Sequence, residues 1–347
     1  MGGAPLPEAG LWEDCEGLPK DLAAVLPKHF TPLSSKVVES STSSSGDTTK
    51  LVVEMQDGMQ VEAVIMRYDP KQGRDPSKED SKRRGERRAT LCLSSQVGCQ
   101  MACKFCATGT MGLKGNLNAA EIFEQLVHAM RVEKIRNIVF MGMGEPLNNY
   151  KSVCASIKLM VDGRLYGLAP SHICVSTVGV TNRIKSMAVD MPGVNLALSL
   201  HAPNQELRLS IVPTGKAYPV HKLMDACRSW QEATGKRVFF EYVVLGEVND
   251  NQEQAEELGA LLKEFDCVLN LIPWNPTEGG AMEGYKAPAE ERLATFQRTL
   301  REAHGIRTTV RREFGQDINS ACGQLVIKSG EAKSSCSGGG KTKVDDW

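Results

Sequence analysis

Hydrophobic positions in the larger, C-terminal part of the chain come in short unbroken runs separated by longer stretches of mixed polarity. The runs "RATLCLSS", "RNIVFMG", "SHICVST", "VNLALSL", "RVFFEYVVL" and "CVLNLIPW" are rich in Val, Ile, Leu and Phe, as strands buried on both faces should be. Between them, "NAAEIFEQLVHAMRVEK", "YPVHKLMDACRSWQEATGK" and "NQEQAEELGALLKEF" carry helical patterning. Asn118 stands at an N-cap position, and Glu121 completes a capping box with it. Six strand-then-helix units in series predict an α/β fold with a parallel sheet wrapped by helices. Pattern alone leaves an open sheet and a full or partial (β/α) barrel both standing. A last short strand, "RTTVRR", leads into "EFGQDINSACGQL".

The first part of the chain is patterned more loosely. Residues 1 to about 50 end in "SSTSSSGDTT", which reads as a Ser/Thr/Gly linker. "KLVVEMQDGMQVEAVIMRY" then predicts two strands turned at Asp57-Gly58. "DPKQGRDPSKEDSKRRGERR" follows, densely charged with almost nothing apolar, the composition of a solvated loop. The expected organisation is an N-terminal accessory region over 1–88, a catalytic core over 89–328 and a disordered tail over 329–347.

Composition narrows the class. The 347 residues are 41% hydrophobic and 24% charged, ordinary for a globular enzyme. No apolar stretch approaches the roughly 20 residues of a membrane span. The acidic start "MGGAPLPEAGLWEDCEGLPK" fits neither a signal peptide nor a transit peptide. A net charge of -1 neither favours nor excludes a polyanionic partner. The 11 cysteines suit a reducing compartment, and metal or catalytic roles rather than a disulfide framework. Cytoplasm is the expected location, with an organelle also open.

The chemistry concentrates in "CLSSQVGCQMACKFCATG", where Cys99, Cys103 and Cys106 keep a C-x3-C-x2-C rhythm and Cys92 stands upstream. Thiolates are soft ligands, and such clusters hold zinc or iron–sulfur centres. Structural zinc usually takes four protein ligands from paired knuckles, whereas one loop here offers three. Three thiolates on a four-iron cluster leave one iron for an exogenous ligand. Phe105, inside the last gap, suits a loop packed over a cluster.

The spacing resembles the radical S-adenosylmethionine (SAM) superfamily. The series "CLSSQVGC…CKFC", "GMGEP", "STVGV", "LSLHAP", "LIPWNP" and "ACGQL" is similar, in the same order, to the RlmN and Cfr methyltransferases over about residues 50 to 328. The resemblance implies a partial (β/α)6 barrel, one [4Fe-4S] cluster on Cys99, Cys103 and Cys106, and two uses of SAM. It implies methylation of an unactivated adenine carbon in rRNA, tRNA or both, by a monomer away from membranes, with a flavodoxin- or ferredoxin-like electron donor. Matching positions imply SAM contacts at Gly144, Glu145, Ser176, Ser199, Leu200, His201 and Asn275. Alone, each of these reads as an ordinary turn or cap at a strand end. Cys322 matches the cysteine that carries a methyl group, Cys92 the one that resolves the adduct by forming a disulfide, and Glu62 the proposed proton acceptor. Without the resemblance, Cys322 is a small buried hydrophobe and Glu62 an outward strand residue. Two basic stretches are candidates for the RNA backbone: Lys82-Arg83-Arg84 with Arg87-Arg88, and Arg307 with Arg311-Arg312. The remaining cysteines, Cys15, Cys154, Cys174, Cys227, Cys267 and Cys336, match no motif. The chain departs from the family in a shortened N-terminal helical region, in the charged insertion at about 70–88, and at Val178, where a small neighbour is more familiar. Carbon 8 methylation of the Cfr type, or a non-catalytic RNA-binding protein that keeps the fold, are the alternative readings.

Overall fold

The structure, a computed structural model, describes residues 18–69, 87–276, 284–311 and 315–326. The C-terminal tail and most of the charged insertion lie outside the described residues. After helix α1 (Lys20–His29), the chain forms an antiparallel meander of β1 (Lys36–Thr42), β2 (Thr48–Glu54) and β3 (Gln60–Tyr68). The β2–β3 turn falls where Asp57-Gly58 predicts it, with Gly58 at φ 82° and Asp57 accepting the Met59 N–H at 2.9 Å. The stretch read as a linker is instead a hairpin joining β1 to β2. Thr48 and Thr49 are buried there, and the Thr42 and Thr49 hydroxyls bond each other at 3.0 Å. Threonine is a β-branched strand former, and hydroxyls that satisfy one another let a Ser/Thr-rich run serve as a strand.

The core then alternates. Strand β4 (Arg88–Cys92) is followed by an excursion of β5 (Gln96–Cys99), the single turn α2 (Ala107–Thr110) and β6 (Gly112–Asn116). There follow α3 (Ala119–Met130), β7 (Ile135–Phe140), α4 (Tyr150–Val161), β8 (Ile173–Thr177), α5 (Thr181–Asp190) and β9 (Asn195–Ser199). The chain continues through α6 (Gln205–Ile211), α7 (Val220–Thr234), β10 (Val238–Val244), α8 (Gln252–Leu262), β11 (Cys267–Pro273), α9 (Glu290–Glu302) and β12 (Thr308–Val310). One sheet runs β1-β2-β3-β4-β7-β8-β9-β10-β11-β12, and every pairing from β4 to β12 is parallel. The accessory meander joins it through the antiparallel β3–β4 pair, with Val64 opposite Cys92.

Among the described residues the sheet ends at β1 and β12 without closing, so the parallel run is a partial barrel. Leu91, Ile138, Val175, Leu196, Phe240 and Leu269, one from each of the six predicted strands, are fully buried. Full burial of such a side chain contributes about 1.5–3 kcal/mol, which is why these runs become strands whatever their flanks prefer.

The capping box at α3 is present as the sequence predicts. Asn118 Oδ1 accepts the Glu121 N–H at 3.0 Å, and Glu121 Oε2 accepts the Asn118 N–H at 2.8 Å. The helix buries Ile122, Leu126 and Ala129 against the sheet. Asn118→Ala should lower stability by about 1 kcal/mol, read as a lower urea midpoint with unchanged slope. An unchanged midpoint would show that the cap contributes nothing.

Candidate active site

The three cysteines of the C-x3-C-x2-C run are placed by the β5–β6 excursion. Gly98 sits at φ 75°, and a Cβ there would lie 1.9 Å from the Gly112 carbonyl oxygen. Only glycine allows the two short strands to close on each other. Cys99 ends β5, Cys103 lies in the loop, and Cys106 precedes α2, donating its N–H to the Cys103 carbonyl at 3.1 Å. All three side chains line one cavity of about 150 Å³. Burial pushes the Cys99 thiol up to about 12 and the Cys103 thiol well above its usual range. Among the described residues, no three ligating side chains converge closely enough to hold a single metal ion. Three soft thiols lining one chamber are a donor set that fits an iron–sulfur cluster.

The far wall of that cavity is made by strand ends. Gly144, Glu145, Ser176, Ser199 and His201 all line it. Gly144 takes φ 99°, and a Cβ would meet Gln96 Cβ at 2.5 Å. Glu145 is buried, and its Oε2 accepts the Val178 N–H at 2.7 Å while Oε1 accepts the Leu147 N–H at 2.9 Å. Val178 therefore acts through its backbone, which softens the departure at that position. Burial raises the Glu145 carboxyl above the usual range, against the pull of these N–H donors. An ammonium group brought to it would favour the charged form.

The Ser176 and Ser199 hydroxyls are 3.3 Å apart. His201, at φ 63°, accepts the Val243 N–H on Nδ1 at 3.0 Å and lies edge-on to Phe105 with ring centres 4.7 Å apart. Burial drops its pKa to about 3, so the ring is neutral and its proton sits on Nε2. Leu200 is buried and lines neither this cavity nor its neighbour; its N–H donates to the Glu241 carbonyl at 3.0 Å.

The two further cysteines meet beside this chamber. Cys92 and Cys322 line a smaller cavity of about 30 Å³ together with Asn275. Cys322 also borders the larger cavity. Both are free thiols, with no disulfide between them. Burial pushes Cys92 up to about 12, and the nearby Cys322 adds to that while Arg311 opposes it. The loop carrying Cys322 is clamped from several sides. Ala107 donates its N–H to the Gly323 carbonyl at 2.7 Å, Thr108 its hydroxyl to the Leu325 carbonyl at 2.6 Å, and Asn275 Nδ2 to the Cys322 carbonyl at 3.2 Å.

Glu62 is also buried, but it faces a different chamber. It lines a neighbouring cavity of about 370 Å³, paired with Lys50 Nζ at 3.0 Å and accepting the Val326 N–H at 2.9 Å. Burial raises its carboxyl despite the Lys50 ammonium.

Two charged residues that no motif marks, Arg311 and Glu241, also line the site, and a third, Arg208, is buried against the backbone of its wall. Arg311, read from sequence as an RNA-backbone contact, turns inward: its guanidinium lies against the sulfurs of Met141 (3.6 Å) and Met66 (3.7 Å), and it lines both thiol cavities. Arg307 is exposed and Arg312 lies outside the described residues. The other basic stretch is represented by Arg87 and Arg88, both exposed, with Arg88 over the Tyr68 ring at 4.6 Å; Lys82-Arg83-Arg84 lies outside the described residues.

Glu241 accepts Asn270 Nδ2 at 2.8 Å on one oxygen, while its other oxygen is buried without a hydrogen-bond partner in the structure. A lone acid inside "FFEYVV" was the available signal. Arg208 is wholly buried on α6, and nothing in "QELRLSI" distinguishes it from a surface helix residue.

Residues 93–259 match the radical SAM superfamily. The chain is 41% identical over 318 residues to the ribosomal RNA large subunit methyltransferase N of Nitrosopumilus maritimus, covering 90% of this chain and 86% of that protein. It is 39% identical to a probable dual-specificity RNA methyltransferase RlmN of Halalkalibacterium halodurans, over 91% of this chain and 83% of the relative. The crystal structure of a radical SAM methyltransferase from Sphaerobacter thermophilus matches with a TM-score of 0.81 and 39% identity, over 90% of this chain and 87% of that one. Among the described residues, no helix is long and apolar enough to cross a membrane. With a cysteine-lined chamber at the mouth of a partial barrel and likeness of this extent, the chain belongs to the RlmN family of radical SAM RNA methyltransferases.

Proposed function

We propose that the protein, acting as a cytoplasmic monomer, methylates carbon 2 of an adenosine in rRNA, tRNA or both, using two SAM molecules and a methyl group carried on Cys322. The observation that carries this reading is the position of Cys322, which borders both the chamber of three thiols and the small chamber of Cys92. The names of the relatives support an RNA substrate, and "dual-specificity" among them supports more than one RNA class. The relatives described above carry the RlmN name, and resemblance to that side of the family is what supports carbon 2 over carbon 8.

Adenine carbon 2 is electron-poor and carries no acidic proton, so direct polar methyl transfer is ineffective. Cys99, Cys103 and Cys106 would hold the cluster and leave one iron open to SAM. When bound, the cluster supplies the electron that splits SAM and makes a radical able to take hydrogen from a methyl group; the hard chemistry is the cofactor's and the placement is the protein's. Glu145, oriented by two backbone N–H donors, receives the SAM ammonium, and the Ser176 and Ser199 hydroxyls offer polar contacts beside it. Neutral His201 adds an N–H donor without a charge to compete with the sulfonium. Cys322 takes the methyl from the first SAM and presents it to the radical formed from the second. Glu62 is the candidate acceptor of the ring proton, and burial raises its carboxyl, a direction that favours taking one up. Cys92 would then attack the Cys322 sulfur and break its bond to the methylene carbon, which takes a proton and leaves as the product's methyl group. The adduct's unpaired electron would pass back to the cluster, and an external flavodoxin- or ferredoxin-like donor would supply the electrons that reduce the disulfide.

Replacing any one of Cys99, Cys103 or Cys106 by Ala should abolish bound iron and SAM cleavage in anaerobically purified protein. Full iron in any of the three variants would sink the ligand assignment. Glu145→Ala should keep its iron and lose roughly ten- to hundredfold in SAM affinity, since a hydrogen bond to a charged group contributes about 1.5–3 kcal/mol. Unchanged affinity by equilibrium binding would remove Glu145 from the site.

The two remaining thiols separate in time. Cys322→Ala should carry no methyl group and make no product. Cys92→Ala should still load a methyl on Cys322 and attack RNA, then fail to release it. The expected species is a covalent protein–RNA adduct that runs slowly on a denaturing gel and disappears on nuclease treatment. Normal turnover by Cys92→Ala would refute the two-cysteine mechanism.

A further inference from the structure

Arg208 is the largest charged side chain that the fold buries completely. Each hydrogen bond its guanidinium makes goes to a main-chain carbonyl: Leu200 at 3.1 Å, Val178 at 2.6 Å, Ser199 at 3.3 Å and Tyr218 at 3.4 Å. The space is fully taken, because a Cβ on Gly215 would lie 2.9 Å from Arg208 Nη1. Neutral carbonyls take four of the five guanidinium N–H donors without offsetting the charge, and an uncompensated buried charge is costly. A fold that keeps a cation here has a use for it nearby.

The nearest chemistry is the cysteine loop. The helix carrying Arg208 and the turn after it hold that loop from behind: Lys104 donates its N–H to the Ile211 carbonyl at 3.0 Å, and Thr214 its hydroxyl to the Met101 carbonyl at 3.0 Å. Met101 and Lys104 flank Cys103 closely in that loop, so the helix of Arg208 is packed against the segment that carries one of the three thiols. On the other side the guanidinium grips Val178, Ser199 and Leu200, the strand-end segments that orient Glu145 and carry a Ser199 hydroxyl into the cavity.

We infer that Arg208 is a built-in counter-cation for the cluster held by Cys99, Cys103 and Cys106, a positioning residue whose fixed charge makes one-electron reduction of that cluster easier. The inference rests on the cluster reading above. A cluster bound by three thiolates is already anionic, and the added electron makes it more so. A buried positive charge at short range stabilises the reduced form more than the oxidised one, because little water intervenes to screen it. The bland alternative is that Arg208 only staples carbonyls together, in which case its charge is incidental.

The two roles separate in R208Q and R208K, reconstituted anaerobically with iron and sulfide and poised with dithionite in the absence of RNA. Iron per chain and the ratio of reduced to oxidised cluster at one fixed potential, read by electron paramagnetic resonance, are compared with wild type. R208Q, without the charge, should hold iron and show a reduced-to-oxidised ratio about tenfold lower, equivalent to about 59 mV for a one-electron couple. R208K, which keeps the charge and loses the fork, should stay near the wild-type ratio while its melting temperature falls. Iron retained by R208K and lost by R208Q would equally support the charge. A wild-type ratio in R208Q would overturn the inference, as would loss of iron in R208K, whose charge is intact. A wild-type chain that binds no iron would remove the cluster reading itself and this inference with it, a result recognisable before either variant is made.

Discussion

Parallel pairing from β4 to β12 is the constraint on which everything else in this molecule rests. Parallel strands with helical crossovers put every strand's carboxyl end on one rim, and active sites of such folds form there. Ser176, Ser199 and Glu145 reach one cavity because their strands are parallel neighbours, not because they are close in sequence. Because the sheet stays open between β1 and β12, the side of the site is left for loops to complete.

Those loops arrive from opposite ends of the chain. The β5–β6 excursion brings the three cysteines over the rim, and the loop after β12 brings Cys322 back to meet them. Their junction is made of ordinary hydrogen bonds, Ala107 to Gly323 and Thr108 to Leu325, and Trp274, just after β11, adds its Nε1–H to the Phe105 carbonyl at 3.3 Å. Each contributes about 1 kcal/mol, and together they hold a thiol between two chambers. The positive φ of Gly323, 84°, belongs to the same closure, since a Cβ there would press on the Phe105 carbonyl oxygen at 3.3 Å.

The site is also unusually charged for a buried place. Glu145 and Glu241 are acids whose burial raises their pKa values, and Arg208 and Arg311 are cations turned inward beside thiols. Burying a charge costs several kcal/mol unless it is paired, so a structure that gathers two acids and two arginines here is arranged around charge that comes and goes. An anionic cluster, a sulfonium and an ammonium are groups of that kind. The carbonyl cage of Arg208 and the paired N–H donors of Glu145 keep these charges oriented before any ligand enters.

Local information in the chain was enough for the six apolar strands, the Asp57-Gly58 turn and the Asn118 capping box, because each depends on periodicity or on residues a few positions apart. The C-x3-C-x2-C spacing was legible for the same reason, and the ordered series of motifs carried the family. The β1 strand was hidden, since a Ser/Thr/Gly composition serves linkers and hydroxyl-paired strands alike. The inward turn of Arg311, the burial of Arg208 and the orphaned oxygen of Glu241 had no local signature. The separation of Glu62 from the Cys92–Cys322 chamber had none either: Val326, which ties Glu62 in place, is 264 residues away in sequence. A charged side chain turns toward a core or toward water according to what packs against it, and here the packing partners come from remote segments joined only when the sheet forms.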